Sequence, residues 1–109
     1  MIRPDARVVA RIDLDRLAAN WDALNTLSGQ AECAAVIKAN AYGHGVREIA
    51  LTLVHAGCRM FFTAGYEEAS ELREILDPVL PDAIIAVFDG ITGHDREAVL
   101  NRAIIPTIN

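Results

Sequence analysis

The chain has no apolar run approaching the ~20 residues that a bilayer-spanning helix requires. Behind Met1-Ile2-Arg3-Pro4-Asp5 there is no apolar stretch of the kind found in secretory leaders, so a cytoplasmic protein is expected, with no membrane partner. Basic residues are in deficit. Ten Lys and Arg against fifteen Asp and Glu leave a net charge of −5, which points away from nucleic acid and anionic membrane surfaces. Cysteine is scarce as well. Cys33 and Cys58 lack metal-ligand spacing and each stands just ahead of an expected strand, so they read as reduced residues in or near the core. Pairing of those strands would bring them close, but a disulfide needs geometry that sequence does not supply. No linker, low-complexity tract or fixed-period repeat interrupts the chain.

What is present suits one small globular domain. The 109 residues are 52% hydrophobic and 23% charged, a balance that excludes a disordered chain. Strand-like and helix-like segments alternate. Val8 to Asp13 alternates apolar and polar residues and reads as a first strand. Leu14, Leu17, Ala18, Trp21, Leu24 and Leu27 then recur at helical spacing, with Asp13 or Asp15 as the cap and Ser28-Gly29 as the stop. Cys33 to Ile37 is a continuous apolar run, as in a strand buried on both faces. Val46, Ile49, Ala50 and Leu53 form the stripe of a second helix that stops near Ala56-Gly57. Met60 to Ala64 is the next strand. Tyr66, Ala69, Leu72 and Leu76 give a third helix its inner face, with Glu67 and Glu68 in the first turn, where the helix dipole favours them. Ala83 to Phe88 is the clearest strand. A short helix over Asp95 to Arg102 and a last strand over Ala103 to Ile108, weakened by Pro106, complete the pattern.

Strands alternating with helices imply parallel βαβ units with right-handed crossovers. A full (β/α)₈ barrel takes ~250 residues, so the expected fold is α/β, a partial TIM-type barrel of roughly the first half. An open half-barrel leaves apolar strand edges and helix faces uncovered. Residues 1–109 therefore read as the front of a longer protein, or else as a piece that assembles with a second copy.

The candidate site is Val36-Ile37-Lys38-Ala39-Asn40-Ala41-Tyr42-Gly43-His44-Gly45. Lys38 closes an apolar run at the C-terminal end of its strand, the face where parallel α/β folds place ligands. A desolvated lysine is a nucleophile toward carbonyl compounds. Gly43 and Gly45 permit a tight loop, and the helix that begins near Val46 offers its N-terminus to an anion. The Tyr42 phenol either donates to a phosphate or packs its ring. His44 reads as a loop histidine bonded to backbone, and no cluster of ligands accompanies it, so no metal is expected. Asp89-Gly90-Ile91-Thr92-Gly93-His94 lies on the same expected face, with Asp89-Gly90 read as turn chemistry.

Lys38-Ala39-Asn40-Ala41-Tyr42-Gly43-His44-Gly45 resembles the cofactor-lysine signature of alanine racemases. Ile12-Asp13-Leu14-Asp15 with Leu17, and Phe62-Thr63-Ala64 with Glu67-Glu68-Ala69 and Leu72-Arg73, resemble the family's flanking segments, although Tyr66 departs from them. The resemblance covers nearly the whole chain but only the N-terminal third or so of such a racemase. It implies a pyridoxal 5'-phosphate (PLP) enzyme, an isomerase that interconverts L-alanine and D-alanine for the bacterial cell wall. It also implies a cytoplasmic homodimer whose subunits join a PLP-binding barrel to a C-terminal β domain. Lys38 would hold PLP and act as the base on one face of the substrate's α-carbon, and Tyr42 would hydrogen-bond the cofactor phosphate. The second base, a tyrosine of the C-terminal domain, and the arginine facing the pyridine nitrogen are not in this chain. No family role is carried onto Asp89 or His94. The alternatives are a PLP-binding protein without turnover, or an inactive fragment that needs a complementing half.

Overall fold

The structure is a computed structural model that describes residues 11–38, 41, 45–89 and 102–106. Its described elements are α1 (Leu14–Leu27), β1 (Ala35–Val36), α2 (Val46–Ala56), β2 (Met60–Thr63), α3 (Tyr66–Leu76), β3 (Ile84–Val87) and β4 (Ile104–Pro106). The strands form one parallel sheet in the order β1-β2-β3-β4. The order never reverses, as it would in a doubly wound sheet. Four consecutive parallel strands, each of the first two followed by a helix, are half of a (β/α)₈ barrel.

The expected elements form, with shorter strands and two changes. Of the expected strand Val8–Asp13, residues 11–13 carry no strand pairing and residues 8–10 lie outside the described residues. Asp13 is instead the N-cap of α1, its carboxylate accepting the Arg16 N–H at 3.1 Å. The helix expected over Asp95–Arg102 lies outside the described residues, except for Arg102, which sits in a turn. Ile37 extends β1 by one bond, its N–H donating to the Phe62 carbonyl at 2.9 Å. Pro106 pairs with Val87. It is tolerated because β4 is an edge among the described residues, where a missing N–H leaves no partner unsatisfied.

The register sorts side chains onto two faces. Ala35, Phe61, Ile85 and Ile104 align across the sheet. The last three are buried, as are Thr63 and Val87 one pleat further on. Helices cover this face. α2 contributes Val46, Ile49, Ala50 and Leu53, and α3 contributes Ala69, Leu72, Arg73 and Leu76, each set at the i, i+3, i+4, i+7 spacing of one helical stripe. α1 packs on α2. Its Trp21 is buried against Gly57 and donates its indole N–H to the Cys33 carbonyl at 3.1 Å. The opposite face carries Val36, Phe62, Ala86 and Ile105 in one row. No described helix packs over it, and Val36 and Ile105 are 40% and 50% exposed.

Both cysteines are free thiols. Cys58 is fully buried, and its Sγ donates to the Met60 carbonyl at 3.4 Å. Burial pushes its pKa above the ordinary value.

Candidate functional site

Lys38 follows β1 by two residues and stands where the chain has left the strand and turned helical. Its side chain is half-buried. The amine lies over the Phe88 ring, 5.9 Å from the centroid. Phe88 follows β3 and is 40% exposed. Its ring stacks on Phe62, with centroids 5.2 Å apart and planes 17° from parallel. The site is therefore a primary amine above a pair of stacked aromatic rings, at the C-terminal ends of three parallel strands. Such an amine can condense with an aldehyde, and the aromatic surface beside it can accept a flat, conjugated ligand.

The loops around the amine are pinned by the backbone. Phe88 and Asp89 donate their N–H groups to the carbonyls of Thr63 and Ala64, at 2.9 and 2.8 Å, which prolongs the pairing beyond the formal strand ends. The Ala64 N–H is held by the Glu68 carboxylate at 2.8 Å. The Thr63 hydroxyl donates to the Gly65 carbonyl at 3.2 Å. Asp89, read from sequence as turn chemistry, has its carboxylate against Gly65 at the start of α3, 3.4 Å from where a β-carbon on Gly65 would stand. A helix N-terminus favours a carboxylate at such a place. Asp89 is not brought to the Lys38 amine by any described contact.

Of residues 39–45, Ala41, which is helical, and Gly45 are described. Both have positive φ, +56° and +93°. Gly45 is the N-cap of α2 and supplies no side-chain cap. Tyr42, Gly43 and His44 lie outside the described residues, as does His94. One expectation changes here. The N-terminus of α2, which the sequence offers to an anion, is covered by the Glu48 carboxylate, its Oε2 2.9 Å from the position of a β-carbon on Gly45. A second anion there would meet a like charge. Sequence reading also missed a simple signal. Lys38 is the only lysine in the chain, since the other nine basic residues are arginines.

The model of the family described as alanine racemase, N-terminal domain, matches residues 12–109. The chain belongs to the alanine racemase N-terminal domain family. This is the family that residues 38–45 resemble. The alanine racemase of Rhizobium meliloti (strain 1021) is 43% identical over 98 residues, which are 90% of this chain and 25% of that protein. The crystal structure of alanine racemase from Bartonella henselae with covalently bound pyridoxal phosphate superposes with a TM-score of 0.78 at 42% identity. That match covers 90% of this chain and 26% of the other. A histidine racemase from Leuconostoc mesenteroides shares the fold with a TM-score of 0.77 at 25% identity, over 94% of this chain and 26% of its own. The alanine racemase N-terminal domain seen here thus spans about a quarter of the length of its relatives, rather less than the third expected from sequence.

Proposed function

We propose that this chain is the cofactor-lysine portion of a PLP-dependent alanine racemase. The observation that carries the reading is the chain's single lysine, presented at the C-terminal end of β1 over the Phe62–Phe88 stack. The residues present fit the cofactor: an amine for its aldehyde carbon, and an aromatic and aliphatic surface for its ring. The covalently bound pyridoxal phosphate of the Bartonella henselae relative supports the same assignment.

In this reading Lys38 holds the cofactor through its Nζ and the Tyr42 phenol donates to the phosphate. When bound, the cofactor supplies an electron sink for the pair left at a substrate α-carbon as its proton departs. Once a substrate's own amino group had displaced it from the cofactor, the freed Lys38 Nζ would take the α-proton of one enantiomer on one face of that carbon and return it in the reverse reaction. In this reading the group on the other face is the tyrosine that the family resemblance assigns to the C-terminal domain. The apolar surface of Val36, Phe62 and Phe88 keeps water from the amine once the ring is seated. Residues 1–109 form the first part of a PLP-binding barrel, with the remaining strands and a C-terminal β domain elsewhere in the whole protein. That protein is a cytoplasmic homodimer supplying D-alanine for the cell wall.

Alanine is preferred over other amino acids because the relatives at 37–51% identity are alanine racemases. A histidine racemase on the same fold supports a reading in which substrate choice is made by surfaces outside this segment.

The test uses the lysine count. The purified chain is titrated with PLP, its visible absorbance followed, the product trapped with borohydride and the modified peptide mapped. Label at Lys38 in equal molar amount supports the reading. Label confined to the amino terminus, the one other primary amine, refutes it. Lys38→Ala is expected to abolish the visible band, and a surviving band would exclude Lys38 as the cofactor residue.

A further inference from the structure

Within the sheet, Val36, Phe62 and Ala86 stand side by side on the uncovered face. Just beyond the ends of these strands come Lys38, where the chain turns helical, and the bend residues Ala64 and Phe88. The bonds from Phe88 N–H to Thr63 O and from Asp89 N–H to Ala64 O hold the ends of β2 and β3 together, and the bond from Ile37 N–H to Phe62 O holds the residue before Lys38 to β2. β1 and β3 are not neighbours. They are separated by β2, so their backbones are two strand spacings, ~9.5 Å, apart. Only a long side chain crossing over a small one can join them. Lys38 is long, Ala64 carries a single methyl group, and the amine arrives above the Phe88 ring at 5.9 Å, within the ~6 Å over which a cation is attracted to the negative face of an aromatic ring. Phe62 supports the ring from its stacked side and fixes its tilt. Among the described residues no carboxylate or carbonyl bonds the amine, so this ring is its one described polar attraction.

We infer that Phe88 is a positioning residue for Lys38. Its ring face holds the ammonium group at the mouth of the half-barrel, and Ala64 keeps the path between them clear. Without this contact a half-buried lysine at a strand end would sample solvent through its four methylenes. With it, the amine rests where a carbonyl compound entering over the sheet meets it. The part concerning the cofactor rests on the PLP reading above, while the Lys38–Phe88 contact does not.

The test separates the two. Reductive methylation with ¹³C-formaldehyde converts the single lysine to a dimethylammonium that keeps its charge and gives one lysine methyl resonance. A methyl group over the ring face is expected upfield of its position in the unfolded chain. Phe88→Tyr keeps that shift. Phe88→Leu, which retains apolar bulk without a ring, loses it, as does Ala64→Val, which blocks the crossing and leaves Phe88 intact. The rate of PLP capture at Lys38 is expected to fall roughly threefold in Phe88→Leu and to recover in Phe88→Tyr. Circular dichroism of each variant verifies the fold. A lysine methyl resonance unchanged between the parent chain and Phe88→Leu overturns the inference, whatever PLP does. An upfield methyl in a chain that captures no PLP leaves the contact standing and refutes the cofactor reading alone.

Discussion

Arg73 occupies a position that the inner stripe of α3 would ordinarily give to an apolar side chain, and it is 5% exposed. Its guanidinium is satisfied by the backbone. Nε donates to Arg102 O at 3.0 Å, Nη1 to Pro81 O at 3.3 Å and Nη2 to Ala103 O at 3.1 Å, while Asp77 stands 3.8 Å away. One side chain thereby ties α3 to the turns that enter β3 and β4, at the end of the sheet opposite Lys38. Ala103 has a positive φ of +53°, and its carbonyl is one of the three acceptors. Arg73→Met keeps the stem and strands the three carbonyls. It is expected to destabilise the chain by about 2–4 kcal/mol, seen as a lower urea midpoint at unchanged slope. A loss below the error of the measurement would mean that water replaces the guanidinium. Cys58 gives a pH test. Burial raises its pKa, so the folded state binds the thiol proton more tightly than the unfolded state. The stabilisation linked to that proton is complete below the ordinary value of 9.0 and is lost as pH rises through the folded pKa. Cys58→Ala is expected to flatten the decline in stability above pH 9.0. An unchanged slope would assign the decline to other groups.

Two helix ends show what is required of an element. α1 runs out at Ser28 into Gly29 at φ +64°, where a β-carbon would meet nothing within 4 Å. α2 stops at Gly57 at φ +116°, where a β-carbon would stand 3.4 Å from two atoms of the Trp21 ring. Both glycines supply a backbone conformation that side chains resist. Only the second lies at the α1–α2 contact. Gly29→Ala is expected to cost about 1 kcal/mol from backbone strain alone. Gly57→Ala is expected to cost more, because the Trp21 ring must also give way and its bond to Cys33 O depends on its position. Paired thermal melts check this, and equal losses would show that the ring adapts freely. Helical spacing placed the buried stripe of α2 at Val46, Ile49, Ala50 and Leu53, and that of α3 at Ala69, Leu72 and Leu76. Spacing is local and is read one element at a time. It could not show that Glu48 turns back over the N-terminus of its own helix, because that depends on side-chain torsion. It could not foresee Arg73 as a buried member, because its partners are carbonyls 8 to 30 residues away.

Across the molecule, one face of the sheet is covered by helices and the other exposes Val36, Phe88 and Ile105. Apolar surface of this kind is where chains associate. Ile105→Lys places a charge on β4, among the row that begins at Val36, without entering the helix-covered core. It is expected to reduce self-association of the 109-residue chain, measured by sedimentation, while leaving the thermal midpoint nearly unchanged. Undiminished association would move the contact to the exposed leucines of α1, Leu24 and Leu27.

The amino-acid sequence by itself determined the alternation of strands and helices and the parallel α/β class. It also determined the location of the one lysine at the end of an apolar strand. Each of these follows from the chemistry of neighbouring residues and from a period of two or 3.6 along the chain. The tertiary structure alone decided that Phe88, fifty residues on, lies beneath that lysine. It also decided that an arginine belongs to the core, and which face of the sheet stays open. These depend on register and on crossovers between strands, and a register brings together residues that no local pattern relates.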